Sequence, residues 1–247
     1  MNYVWNWGVL WEKTGIGNEI YLSWLFTGLL WLFAIGSLAW IIAMLLGTIL
    51  GIMRTLPHKS LNLIAAAYVT LFRNVPLLIQ LFIWYYVIPN FLPASLKQWW
   101  FFGLQPNTSA MIAASIGLGL FTAARICEQV CTGIQALPQG QMQAAYALGF
   151  RTKQVYWEVL LPQAFRIILP PLGSELTNCF KNASVASLVG VLELISQVKT
   201  IAEYTQSNLE IYTYATLIYM AVNITLLILM TRLERRFRVP GLMSGGK

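Results

Sequence analysis

Residues 143–162 read QAAYALGFRTKQVYWEVLLP and lie between two groups of hydrophobic segments. The spacing predicts a short helix from Gln139 to Leu148, a break at Gly149, and a second amphipathic helix from Thr152 to Leu161 stopped by Pro162. Glycine at a helix end and proline beyond the next are ordinary helix punctuation. Helix, glycine, helix, proline makes a compact polar knob. A protein of lipid-facing helices has little structural need for one, so something outside the membrane is expected to hold it.

Working outward, the 247-residue chain is 57% hydrophobic and only 10% charged, against roughly 25% charged in soluble domains. Its mean hydropathy is +0.63, and every one of its 9 acidic residues is glutamate. These values indicate an all-α integral membrane protein. The net charge of +7 is unevenly placed, and no basic-aromatic patch accompanies it. It therefore reads as membrane orientation and excludes a nucleic-acid partner. Cys127, Cys131 and Cys179 fall in hydrophobic segments and read as small buried hydrophobes, without the spacing of a metal site. Residues 1–20 carry Glu12, Lys13 and Glu19 and no basic opening, so a cleavable leader is not expected.

Along the chain, residues 1–22 form a Trp- and Tyr-rich segment suited to a membrane surface. Residues 23–234 hold the transmembrane domain, and 235–247 a basic tail. Five spans are expected: Ser23 to Met53, Ala65 to Pro89, Thr108 to Cys131, Ala164 to Gln197 and Ile211 to Thr231. Each exceeds or matches the roughly 20 residues a helix needs to cross. Gly47 and Gly51 form a GxxxG pair that permits close helix contact. Asn90 to Asn107 reads as a loop with an interfacial Trp-rich run. Arg54, Lys59, Arg151, Lys153, Arg166 and the Arg232–Arg238 cluster fall on one side, and Lys13, Lys97 and Lys199 on the other. That asymmetry places the N-terminus outside, and the knob and C-terminus inside.

No catalytic constellation is present. His58 is the single histidine, and without aspartate it cannot join a Ser-His-Asp triad. Residues 241–247, GLMSGGK, imitate a phosphate-binding loop but lack the following Ser or Thr, the preceding strand and the succeeding helix. What remains are polar side chains within spans, each costly in hydrocarbon, about 2.5–3.5 kcal/mol for a charged residue on insertion scales. Arg125 and Glu128 stand three apart, as an i,i+3 ion pair or a functional couple. Glu175, Asn178, Cys179 and Asn182 share one helical face flanked by Lys181 and Ser184. That face reads either as interhelical hydrogen bonding or as the lining of a polar path; the path reading names Arg125, Glu128, Glu175, Asn178, Lys181 and Asn182.

The knob carries a resemblance. Gln143-Ala144-Ala145, then Gly149, then nine residues to Val159 and Leu161-Pro162, resembles the EAA loop of ABC importer permeases, with Gln143 for the usual Glu and Val159 for the usual Ile. LFRNVPLLIQ (71–80), LPPLGSE (169–175) and KNASV (181–185) resemble the polar amino acid branch of that family. The N-terminal WNWG, FTAARICEQV (121–130) and the terminal SGGK resemble its glutamate/aspartate importers.

The resemblance implies a type I ABC importer permease of a bacterial inner membrane, about five spans with a cytoplasmic coupling helix, carrying a polar amino acid and most nearly glutamate or aspartate. It implies four kinds of neighbour: a homologous second permease, two ATP-binding subunits, a periplasmic amino-acid-binding protein, and membrane lipid. ATP-Mg would reside on the ATPases and no cofactor on this chain. Coupling would fall to Gln143, Ala144, Ala145, Gly149, Val159, Leu161 and Pro162. Arg125 would pair with a substrate carboxylate while Glu175 or Asn178 meets the amino group. A secondary transporter would show inverted repeats and more spans, and an assembly protein would lack both the knob and the polar fourth span.

Overall fold

A computed structural model describes residues 5–15 and 17–237. Most of the basic tail, with the GLMSGGK run, lies outside the described residues. The helices are α1 (Tyr21–Thr55), α2 (Lys59–Asn74), α3 (Leu77–Phe82), α4 (Ala94–Gln98), α5 (Pro106–Gln135), α6 (Gln139–Ala147), α7 (Thr152–Gln154), α8 (Leu161–Ala183), α9 (Leu194–Thr205) and α10 (Asn208–Phe237). The sole pairing of extended backbone among the described residues is a bridge between Lys13 and Ile20.

Three helices, α1, α5 and α10, are each long and apolar enough to cross a membrane. The expected count of five is reached when two broken pairs are each taken as one span: α2 with Leu77–Phe91, and Thr152–Val189 with α9. The second span is thus not the single helix expected. Val75 is extended (φ −96°, ψ 127°) ahead of Pro76, because a residue before proline is pushed out of the helical region. The fourth span breaks at Gly190 (φ 91°), and α9 restarts under Glu193, whose carboxylate accepts from the Ile195 and Ser196 backbone N–H groups. The expected loop at Asn90 to Asn107 is largely helical, as α4 and a π-helical turn at Trp99–Gly103.

Pro162 does not stop a helix. Val155–Leu160 is π-helical and runs directly into α8. The Leu161 N–H donates to the Tyr156 carbonyl five residues back. That wider turn, placed just before Pro162, relieves the clash a proline ring makes with the carbonyl four back. The second half of the knob is therefore the foot of the fourth span.

The described chain divides into two compact units. One comprises the chain up to Ala39, Pro76–Gly119 and Asn178–Ile224. In it the Asn6 N–H donates to Glu210 at 2.6 Å and the Tyr214 hydroxyl to the Trp7 carbonyl at 2.6 Å, pinning the N-terminal segment to α10. The second unit comprises Trp40–Val75, Leu120–Thr177 and the chain from Thr225. Its core gathers Ala43, Ile126, Val130, Val155, Leu160 and Ile168. Here the GxxxG pair works within the chain. A methyl on Gly47 would stand 2.7 Å from Ile126 Cβ, and one on Gly51 2.6 Å from Val130 Cβ, so only glycine lets α1 lie this close to α5.

Candidate functional site

The second unit holds a polar cavity of about 330 Å³ lined by Arg73, Phe121, Arg125, Glu128, Gln129 and Glu175. Phe121, Arg125, Glu128 and Gln129 follow an i, i+4, i+7, i+8 pattern, which brings them to one face of α5. Glu175 comes from α8 and Arg73 from the last turn of α2.

The ion pairs differ from the i,i+3 pairing that spacing suggests. Arg125 donates through Nε and Nη2 to the two carboxylate oxygens of Glu175, at 2.6 and 3.1 Å. Glu128 instead receives Arg54 Nη1 at 2.6 Å and Arg73 Nη1 at 3.5 Å on one oxygen. The bidentate fork of Arg125 finds a geometric match in a carboxylate on the neighbouring helix. Within its own helix, by contrast, an i,i+3 pair is worth only about 0.2–0.5 kcal/mol. The Glu175 side chain is 9% exposed and that of Arg125 41%. Arg125 thus covers the glutamate while part of its guanidinium faces the cavity. Two of its five N–H groups are committed, and three remain. Arg54, Arg73 and Arg125 stand against Glu128 and Glu175, leaving one positive charge in excess.

Of the residues expected along a polar path, Arg125, Glu128 and Glu175 come together in this cavity. Asn178, Lys181 and Asn182 belong to the first unit and do not line it. Asn178 and Asn182 are half-buried and Lys181 is exposed. Arg54, Arg73 and Gln129 were not singled out for this role. Arg73, a charge inside a hydrophobic segment, was the available signal; Arg54 read as an ordinary end-of-span cation.

The loop of residues 143–162 divides by exposure. Gln143, Ala144 and Gly149 are exposed, as is Leu148 at 77%, whereas Ala145 and Leu161 are buried in the unit's core. Ala144 and not Ala145 therefore presents the small surface. The loop helix α6 ends in a Schellman motif: the Phe150 N–H donates to the Ala145 carbonyl at 3.1 Å and the Gly149 N–H to the Tyr146 carbonyl at 2.9 Å. Gly149 takes φ 84°, the left-handed region this cap requires. The Tyr156 hydroxyl donates to the Thr55 carbonyl at 2.8 Å, fastening the loop's far side to the end of α1.

The family described as binding-protein-dependent transport system inner membrane component matches residues 43–239. The chain belongs to that family. It is a membrane-spanning permease and a transport component, not an enzyme. It is 43% identical over 99% of its length to the whole of the glutamate/aspartate import permease protein GltJ of Escherichia coli K12. It is 34% identical over 77% of its length, and 82% of the relative's, to the probable glutamine ABC transporter permease protein GlnM of Bacillus subtilis. Among solved structures, an amino acid ABC transporter with histidines superposes with a TM-score of 0.71 at 30% identity, covering 87% of this permease and 95% of that chain. The MetNI methionine ABC transporter shares the fold, with a TM-score of 0.66 at 18% identity over 89% and 96% of the two chains. These likenesses give the permease the type I importer fold and exclude the secondary-transporter and assembly-protein readings.

Proposed function

We propose that this permease imports an acidic amino acid, glutamate or aspartate, through a path that includes the Arg73–Arg125–Glu128–Glu175 cavity. The observation that carries the reading is the uncommitted edge of Arg125 on a cavity whose two arginines and two glutamates balance, with Arg54 behind the lining on Glu128 adding one cation. An acidic amino acid at neutral pH carries two carboxylates and one ammonium. Its net charge complements that excess, and a free guanidinium edge accepts a carboxylate in bidentate fashion. The full-length likeness to a glutamate/aspartate import permease supports the same substrate class.

Energy would come from two separate ATP-binding subunits gripping the face of Gln143, Ala144 and Leu148, with Ala145, Gly149, Val159, Leu161 and Pro162 holding that face in place. A homologous second permease would complete the passage and a periplasmic binding protein would deliver the substrate. This is the arrangement in which the charge asymmetry puts the N-terminus in the periplasm and the loop in the cytoplasm. The test is uptake of labelled glutamate, aspartate and glutamine by the assembled transporter, parent against Arg125→Lys. A point cation cannot reproduce the fork, so acidic amino acid uptake should fall at least tenfold with assembly intact. Unchanged uptake in a correctly assembled complex would remove Arg125 from the path.

A further inference from the structure

A second cavity in the same unit has the opposite chemistry. A groove of about 630 Å³ runs between the last turns of α1 and the foot of the fourth span. Met44, Leu45, Ile49, Trp157, Leu161 and Phe165 form most of its walls. Leu45 is 65% exposed, Ile49 55% and Trp157 72%. We infer that this groove is a binding site for one acyl chain of a membrane phospholipid, whose anionic headgroup is met by Lys153 at the loop end of the groove.

Three observations select this occupant. The first is the wall chemistry. A protein partner brings about one hydrogen bond per 100–200 Å² of interface, and the lining offers two polar side-chain groups, the Thr48 hydroxyl and the Trp157 indole N–H. A hydrocarbon chain needs none. The second is side-chain size. Helices that pack on other helices in a bilayer do so through small residues. On α1 those residues, Gly47 and Gly51, are already spent on α5, and the groove face carries Met, Leu and Ile. That face is continuous with the exposed Ile41 one turn before Leu45, so the groove opens onto the lipid-facing side of a helix apolar enough to cross the membrane.

The third is charge. The groove lies where α1 ends and the loop segment enters the fourth span. Residues 55–59 and 151–158 at that end carry Lys59, Arg151 and Lys153 against Glu158 alone. Lys153 precedes Trp157 by about one turn and is exposed, at the loop end of the groove. Trp157 itself has the amphipathic ring that settles at headgroup level. Cations at this depth attract anionic lipid.

The experiment uses the complete transporter, purified with the subunits it brings from the membrane and placed in vesicles of phosphatidylglycerol brominated on its acyl chains. The difference in tryptophan emission between the parent and Trp157→Phe isolates Trp157, which should be quenched. Native mass spectrometry should find phospholipid retained by the parent and by Ile41→Trp, outside the groove, but lost from Ile49→Trp, which fills it. The preference for phosphatidylglycerol over phosphatidylethanolamine should drop about fivefold for Lys153→Gln, the effect of one cation near an anionic lipid. An unquenched Trp157 together with equal lipid retention in parent and Ile49→Trp would overturn the inference and leave a protein subunit as the cover. Retention with no change of headgroup preference in Lys153→Gln would overturn the role of Lys153.

Discussion

Arg125 and Glu175 hold each other along one edge of the guanidinium, at 2.6 and 3.1 Å, while Arg125 remains 41% exposed at its side chain. One arginine thus links α5 to α8 and still faces the cavity. Removing its partner has a different meaning from removing the arginine itself. Glu175→Gln keeps a hydrogen-bonding oxygen and frees the charge, whereas Arg125→Ala leaves a buried carboxylate without its donors. The latter should cost about 1–3 kcal/mol, toward the low end because Arg125 reaches solvent. Thermal denaturation of both variants checks this: Arg125→Ala should melt clearly below Glu175→Gln.

Glu128 offers a second comparison. Its near contact is Arg54 at 2.6 Å, with Arg73 at 3.5 Å and more exposed. Arg54→Ala should destabilise more than Arg73→Ala. The Arg54→Ala, Glu128→Ala double mutant should lose less than the sum of the singles, with an interaction of 0.5 kcal/mol or more. Denaturation of the four proteins completes the cycle. Additivity would mean the pair contributes no coupling.

Much of this was legible in the chain. Five apolar stretches and the Gln143–Pro162 spacing gave the fold class, and the polar face at Glu175 could be read as interhelical hydrogen bonding or as the lining of a path. The identity of the Glu175 partner was not legible, because i,i+3 proximity in sequence favours Arg125 with Glu128 and says nothing of helix-to-helix geometry. The breaks were also missed for a physical reason. Hydropathy reports burial in lipid but not direction, so Val75–Pro76 and Gly190 looked like small interruptions of continuous spans. Pro162 misled in the opposite sense, since a π-helical turn that absorbs a proline leaves no mark on composition.

At Gly149, φ is 84°, and a Cβ there costs roughly 1–2 kcal/mol although no atom lies within 4 Å of it. The penalty is conformational and not steric. Gly149→Ala should fray the end of α6, and Gly149→Asn should be milder because Asn tolerates this region. ATP hydrolysis by the assembled transporter, measured with and without substrate, should lose its substrate dependence in the order Ala over Asn.

Gly51 presents the reverse case. A methyl there would stand 2.6 Å from Val130 Cβ, and overpacking of this kind costs about 1–3 kcal/mol. Gly51→Ala should lower the melting temperature, and Gly51→Ala with Val130→Ala should recover part of the loss. Gly140, with nothing within 4 Å, should accept alanine with no such drop.

The absence of a helix stop at Pro162 makes residues 152–175 one object, about 35 Å long at 1.5 Å per residue. The end that a motor would push and the end that carries Glu175 are two points on the same shaft. Pro170 and Pro171 lie inside it, each removing a backbone hydrogen bond about one turn ahead of Glu175. Torque applied at Thr152 would meet the π-helical turn and Pro162 first and then this weakened joint, and bending there would open the clasp with Arg125.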